Sequence, residues 1–256
     1  MPTSPELIFL TPPEYMRAVQ SAGYTAAHLA YRMGGGPHLY RAGAPMAPRG
    51  GLLAMDCREA PIAGNPEPVC REIVRECSAR GFRGVLALGA RPSALMSAVL
   101  RELEPLLARQ GWPLYVPESC AEVGKARILL SSALSGGSLQ ARLEEAAERY
   151  GPERLVLRLE RVAQDFPLPS PTGEGVPLGR EGLQRLLETE QPAVFFSHEL
   201  CARYFTYMSG ANGAHFVLFD DVGSLRKKLE LARQMHIRQA VLSYPQISDL
   251  LPELVE

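Results

Sequence analysis

The chain has 256 residues, of which 46% are hydrophobic and 21% charged, and its net charge is −1. That balance belongs to a globular protein and excludes a disordered or fibrous one, and the absence of any lysine or arginine block excludes a nucleic-acid footprint. No apolar run approaches the roughly 18 residues needed to span a bilayer, so no membrane partner is expected.

The N-terminal stretch MPTSPELIFLTPPEY lacks a basic segment and has an apolar core of only four residues, 7–10. A signal peptide is therefore not expected, and a cytoplasmic location is. Short apolar runs then recur along the chain at 28–31, 51–55, 84–88, 113–116, 127–133 and 154–159, and again at 215–219 and 239–244. Such runs, bounded by turn residues, read as buried strands.

Amphipathic helical patterns fill the gaps. In 68–80, Val69, Ile73, Val74 and Cys77 share one face; in 93–110, Leu95, Val99, Leu103 and Leu106 recur at helical spacing. Ser138 offers an N-cap for a helix over 138–150, and Gly151 follows as its C-cap. A last helix over 224–235 turns Leu225, Leu229 and Ala232 inward.

Five cysteines (Cys57, Cys70, Cys77, Cys120 and Cys201) are odd in number and irregularly spaced, which predicts reduced, mostly buried thiols. No C-x-x-C or H-x-x-x-H occurs, so no metal site is expected. His198-Glu199 lacks a second histidine at ligand spacing, and His28, His38, His215 and His236 are isolated.

Repeated βα units with near-continuous apolar strands imply a parallel sheet covered by helices. About eight such units at this length predict a (β/α)8 barrel rather than an open doubly wound sheet. The glycine run in MGGGPH, 33–38, does not follow the strand–turn–helix order of a dinucleotide site, so no cofactor is expected.

Some 80 residues separate RLVLRLE from QAVLSY, too many for one helix. They include AVFFSHEL, ARYFTYMS and HFVLFDD, the last two joined through SGANG, which reads as antiparallel strands around a turn. The expectation is a single barrel domain over 1–256, carrying a small α+β insertion at about 179–221, between strands 7 and 8, on the C-terminal rim.

Three stretches resemble a known family. RYFTYMSGANGAHFVLFDDVGSLRKKLELARQMHIRQAVLSY resembles the closing pattern of family 18 glycoside hydrolases, the chitinase-like barrels, and of their bacterial spore-associated branch. RLVLRLERVAQDF is similar to the family's seventh-strand segment, with Asp165-Phe166 at its acid–aromatic pair. GFRGVLALGA falls where the family has its fourth strand. The resemblance covers roughly 51–247.

It also exposes departures. In the family the fourth strand ends in the glutamate that protonates the glycosidic oxygen, with acids two and four residues earlier. By register those positions are Ala90, Leu88 and Leu86, and the acid of the Gly-Phe-Asp-Gly opening is Arg83. The sixth-strand Tyr-Asp pair has no counterpart beyond Ser131 and Ser132, and the eighth-strand Trp falls at Ser243, next to Tyr244. An alanine side chain carries no proton, so the family's usual chemistry is not expected here.

In a barrel, ligands bind at the C-terminal ends of the strands. Those ends place Asp56, Glu118 and Glu160 as candidate catalytic carboxylates, and Arg91, Ser131, Ser132, Asp165 and Tyr244 as candidate ligand contacts. One carboxyl with a burial-raised pKa beside one ionised acid meets the demands of acid–base chemistry. Set against that, each acid can be neutralised by a nearby Arg58, Arg91, Arg158 or Arg161. Asp165 also reads as a turn former, Asp220 and Asp221 as helix-start residues, and the aromatics over 195–207 as strand core. Cys57 beside Asp56 has no assigned histidine to make it a nucleophile.

Three functions remain open from sequence. The leading one is a chitinase-like barrel without the usual acids, binding a peptidoglycan or chitin-type oligosaccharide or serving as a scaffold. The alternatives are an active hydrolase with relocated carboxylates and a protein-interaction module. A spore connection is implied by the family resemblance alone.

Overall fold

The computed structural model describes residues 4–42, 49–170, 173–210 and 213–255. The first strands in chain order are β1 (Glu6–Thr11), β2 (Thr25–Gly34), β3 (His38–Arg41) and β4 (Leu52–Asp56). They are followed by β5 (Val85–Leu88), β6 (Leu114–Pro117), β7 (Arg127–Ser131) and β8 (Leu155–Leu159). An inserted set, β9 (Ala163–Pro167), β10 (Val176–Pro177), β11 (Phe195–Ser197), β12 (Ala202–Ser209) and β13 (Gly213–Phe219), precedes β14 (Gln239–Ser243).

The helices are α1 (Met16–Ser21), α2 (Glu67–Arg80), α3 (Ala94–Ala108) and α4 (Leu139–Tyr150), then α5 (Arg180–Glu190), α6 (Val222–Gln234), α7 (Tyr244–Ile247) and α8 (Leu251–Val255).

Eight parallel strands close on themselves. β1 pairs with both β14 and β2, and the ring runs on through β4, β5, β6, β7 and β8 back to β14. β3 adds an antiparallel edge to β2. This is a (β/α)8 barrel, and the alternation of side chains along each strand sorts its core into two environments. Ile8, Leu10, Ala27, Leu52, Ala54, Leu86, Tyr115, Leu129, Val156 and Val241 fill the interior. The intervening residues point outward under the helices: Leu53, Val85 and Val116 meet α2 and α3, while Phe9, Leu157 and Leu242 meet α4 and α6.

Local signals set the ends of the elements. Gly81, at φ 69° and ψ 27°, closes α2 in the left-handed region, where no Cβ penalty applies. The Ser93 side chain caps α3 by accepting from the Met96 N–H at 3.1 Å, and Ser138 caps α4 in the same way. α6 starts earlier than its hydrophobic pattern indicates. Asp221 is its cap, forming a reciprocal capping box with Ser224. Gly84, before β5, admits no side chain, because a Cβ there would stand 2.8 Å from Leu52 and 3.0 Å from the Pro113 carbonyl.

Between β8 and α6 the chain builds a second, five-stranded antiparallel sheet in the order β10-β9-β13-β12-β11. The insertion therefore opens at Ala163, earlier than the aromatic segments alone indicate, because β9 pairs with β13 over five residues. α5 covers one face through Leu183, Leu186 and Leu187, against Phe205, Val217 and Phe219. The other face carries Phe166, Phe216, Tyr204 and Phe195, successive rings 6.0, 5.4 and 5.6 Å apart. Such cross-strand aromatic pairs stabilise a sheet.

A fully buried ion pair anchors this sheet to the helix that follows it. Lys228 of α6 donates to both carboxylate oxygens of Asp220 at 2.8 and 2.7 Å. Asp220 also accepts from the Ser224 hydroxyl and from the Val162 N–H. Asp221 is thus the helix-start residue, while Asp220 joins β13, α6 and the end of β8.

Candidate functional site at the barrel mouth

The C-terminal mouth is open. A cavity of about 410 Å³ is floored by Leu10, Leu29, Leu88 and Val241 and rimmed by Asp56, Arg58, Arg158, Glu160, Ser243 and Gln246. A second cavity of about 580 Å³ shares Glu160 and Gln246 with it. It runs between Ala133–Ser135 of the β7 loop and Gln164, Leu178, Arg180 and Leu183 of the insertion.

The inward side of β8 reads Val156, Arg158, Glu160, because alternation carries the interior face of Val156 up to the rim. Glu160 is engaged on both oxygens. Oε1 meets the Arg158 guanidinium at 3.0 Å, and Oε2 accepts from the Ser131 hydroxyl. Ser132 is fully buried, and its hydroxyl accepts the Glu160 N–H at 3.1 Å. Ser131 and Ser132 thus hold Glu160 in place, one through its side chain and the other through its backbone.

Asp56 takes the same part on β4. Its carboxylate accepts three bonds from the Arg58 side chain and one from the Arg58 N–H. Hydrogen bonding to Arg58 holds its carboxyl below the ordinary carboxylate range despite partial burial. Arg58 also lies across the end of β5, its Cγ 2.5 Å from where a Cβ on Gly89 would be. Gly89, at φ 65°, ends the strand. The chain then leaves the inward register, and Ala90 is buried in the helix-side core instead of facing the mouth. Of the three positions that the fourth-strand resemblance singles out, Leu86 and Leu88 face the barrel interior and Ala90 does not.

The remaining candidates are dispersed. Glu118 is bonded to Arg142 of α4 at 2.6 Å, and Arg91 is exposed; neither lines the two cavities. Tyr244 is half-buried, with its ring centroid 5.6 Å from that of Tyr15 and 6.2 Å from that of Phe9. Asp165 lies within the inserted sheet, where it meets His215 Nδ1 at 2.9 Å and accepts from the Tyr207 hydroxyl at 2.9 Å. Burial, helped by that bond, pushes the Tyr207 hydroxyl up to about 12. Burial likewise pushes the Cys57 thiol up to about 12, leaving it protonated and a poor nucleophile beside Asp56. All five cysteines are buried and free. Among the described residues no group of three or more His, Cys, Asp or Glu side chains is placed to hold a metal ion.

The site gains residues that sequence reading did not nominate as contacts: Arg58, Arg158, Gln246 and, from the insertion side, Arg161 and Arg180. Alternation from Val156 points to Arg158. Nothing in the local sequence brings Gln246 or Arg180 to the mouth.

No family model matches the sequence, and no curated protein matches it. Solved structures do. The spore cortex-lytic enzyme SleL of Bacillus megaterium QM B1551 superposes with a TM-score of 0.70 at 14% identity, over 99% of this chain and 75% of that one. A chitinase from Chromobacterium violaceum ATCC 12472 gives 0.68 at 13% identity, over 94% and 93%. The chain has a family 18 glycoside hydrolase-like fold. A class V chitinase mutant from Nicotiana tobaccum, solved in complex with NAG4, is similar at 0.67 and 11% identity, over 94% of this chain and 93% of that one.

Proposed function

We propose that the protein binds an oligosaccharide of the peptidoglycan or chitin type at the barrel mouth without cleaving it. The observation that carries this reading is the pairing of an open cleft with an acid-free fourth strand. Leu88 floors the cavity, and Gly89 ends the strand before any further side chain can turn inward. Substrate-assisted hydrolysis needs a carboxyl that can give up a proton to the leaving oxygen. An open cleft with an apolar floor and a polar rim has the make-up of ligand pockets, which favours binding over a purely structural scaffold.

A second reading has one observation in its favour: Asp56 and Glu160 line the same cavity, as an acid–base pair would. Against it, both carboxylates are already engaged: Asp56 accepts four bonds from Arg58, and both oxygens of Glu160 are occupied. The experiment is incubation of purified protein with chitooligosaccharides and with peptidoglycan, alongside calorimetric titration of the same sugars. Binding without release of reducing ends is expected. Release of sugars that is lost in Glu160→Gln would establish the hydrolase instead. Neither binding nor release would leave a protein-interaction module.

A further inference from the structure

The charges around the two joined cavities do not balance, and the excess sits on one side. Arg58 is matched by Asp56 and Arg158 by Glu160. On the insertion side, Arg161 and Arg180 both line the larger cavity and both converge on a single carboxylate, Asp249. Arg161 reaches both Asp249 oxygens at 2.9 and 3.0 Å and the Gln246 carbonyl at 3.1 Å. The Arg180 guanidinium is 2.7 Å from Asp249 Oδ1. The Arg161 side chain is only 18% exposed, so packing fixes its guanidinium before any ligand arrives, whereas Arg180 is 54% exposed.

Arg180 is also the first residue of α5. The N-cap of that helix, Gly179, has no side chain to accept from the free N–H groups of the first turn. A helix start without a side-chain cap attracts negative charge, and this one carries Arg180, one of the two guanidiniums that share Asp249. Glu181 in the same turn is exposed and is not among the residues lining the cavity.

We infer that the insertion-side cavity receives an anionic substituent of the bound glycan, a carboxylate or a phosphate, on Arg161 and Arg180. This rests on the glycan-binding reading above and narrows it from any oligosaccharide to an acidic one. Guanidinium forks match the planar oxygens of either group.

The test compares a chitin tetramer with a tetramer of the same backbone in which alternate sugars carry a lactyl carboxylate, with inorganic phosphate as a third probe. The carboxylated tetramer is expected to bind about tenfold or more tightly, the range of a charge-assisted hydrogen bond. That advantage should shrink with added salt and vanish in Arg161→Gln/Arg180→Gln. Arg180→Gln alone, at the more exposed position, should lose part of it with an unchanged melting temperature, which separates lost recognition from lost folding. Saturable binding of phosphate that depends on both arginines, without preference between the tetramers, assigns the site to a phosphorylated glycan. Equal affinity for both tetramers with no phosphate binding overturns the anion inference and leaves the glycan reading standing. No binding of any probe overturns both.

Discussion

On the β5 side of the mouth the inward positions are Leu86 and Leu88, after which the chain turns away at Gly89. On the β8 side they are Val156, Arg158 and Glu160, continued by the arginines near the insertion. Both strands obey the same alternation and both bury their lower halves identically. They differ at the upper inward positions, where β5 has Leu88 alone and β8 has Arg158 and Glu160, and that decides where a ligand can find polar contacts. The fourth-strand side supplies an apolar floor; the seventh-strand side supplies the charged groups of the rim. In a barrel the lower layers specify stability and the top layer specifies chemistry, so the two can change independently.

The joint that holds the polar side in place should be the most sensitive point. Lys228→Met leaves Asp220 buried without its counter-ion, and a loss of about 3–5 kcal/mol is expected in urea denaturation. A loss under 1 kcal/mol would mean that the insertion does not depend on this pair. On the other side, Leu86→Ala opens a void in the barrel interior, and about 2–5 kcal/mol should be lost. If the void is small enough to collapse, the value falls at the bottom of that range.

Gly89→Ala probes the turn that removes β5 from the mouth. Its φ of 65° and the contact with Arg58 together predict a cost of roughly 1–3 kcal/mol, read from the denaturation midpoint. A neutral result would show that the turn relaxes freely and does not hold Ala90 away from the cleft. Cys57, Cys70 and Cys77, whose thiols burial pushes up to about 12, should resist a disulfide reagent at pH 8 until the protein unfolds. Rapid labelling of the native protein would contradict that burial.

The smallest effect concerns Asp56. Because Arg58 depresses its carboxyl in the folded state, the pair stabilises above the unfolded carboxylate value and loses that contribution as pH falls through the folded one. Arg58→Gln should move the Asp56 titration midpoint, followed by NMR, upward toward the ordinary range. A midpoint that stays low would point to another source of the depression.

Much of this was legible in the chain. The apolar runs at 84–88, 127–133 and 154–159 became β5, β7 and β8, and the Ser138 cap marked the start of α4. Leu86 and Leu88 were readable as inward residues of an acid-free strand. Ala90 was not readable as leaving that register, since the left-handed turn at Gly89 is a backbone event with no fixed sequence signature. Asp220 and Asp221 look equivalent in sequence, yet one caps α6 and the other pairs with a lysine eight residues on.

The sequence by itself therefore determined the barrel, through period-two strands alternating with period-3.6 helices, and the absence of acids from the fourth strand. Which charged groups meet at the mouth was decided only by tertiary structure. Arg161, Arg180 and Asp249 are far apart in the chain and adopt no shared local pattern. Their meeting depends on where the inserted sheet and α5 come to rest over β8 and α7, and long-range packing of that kind leaves no periodic trace.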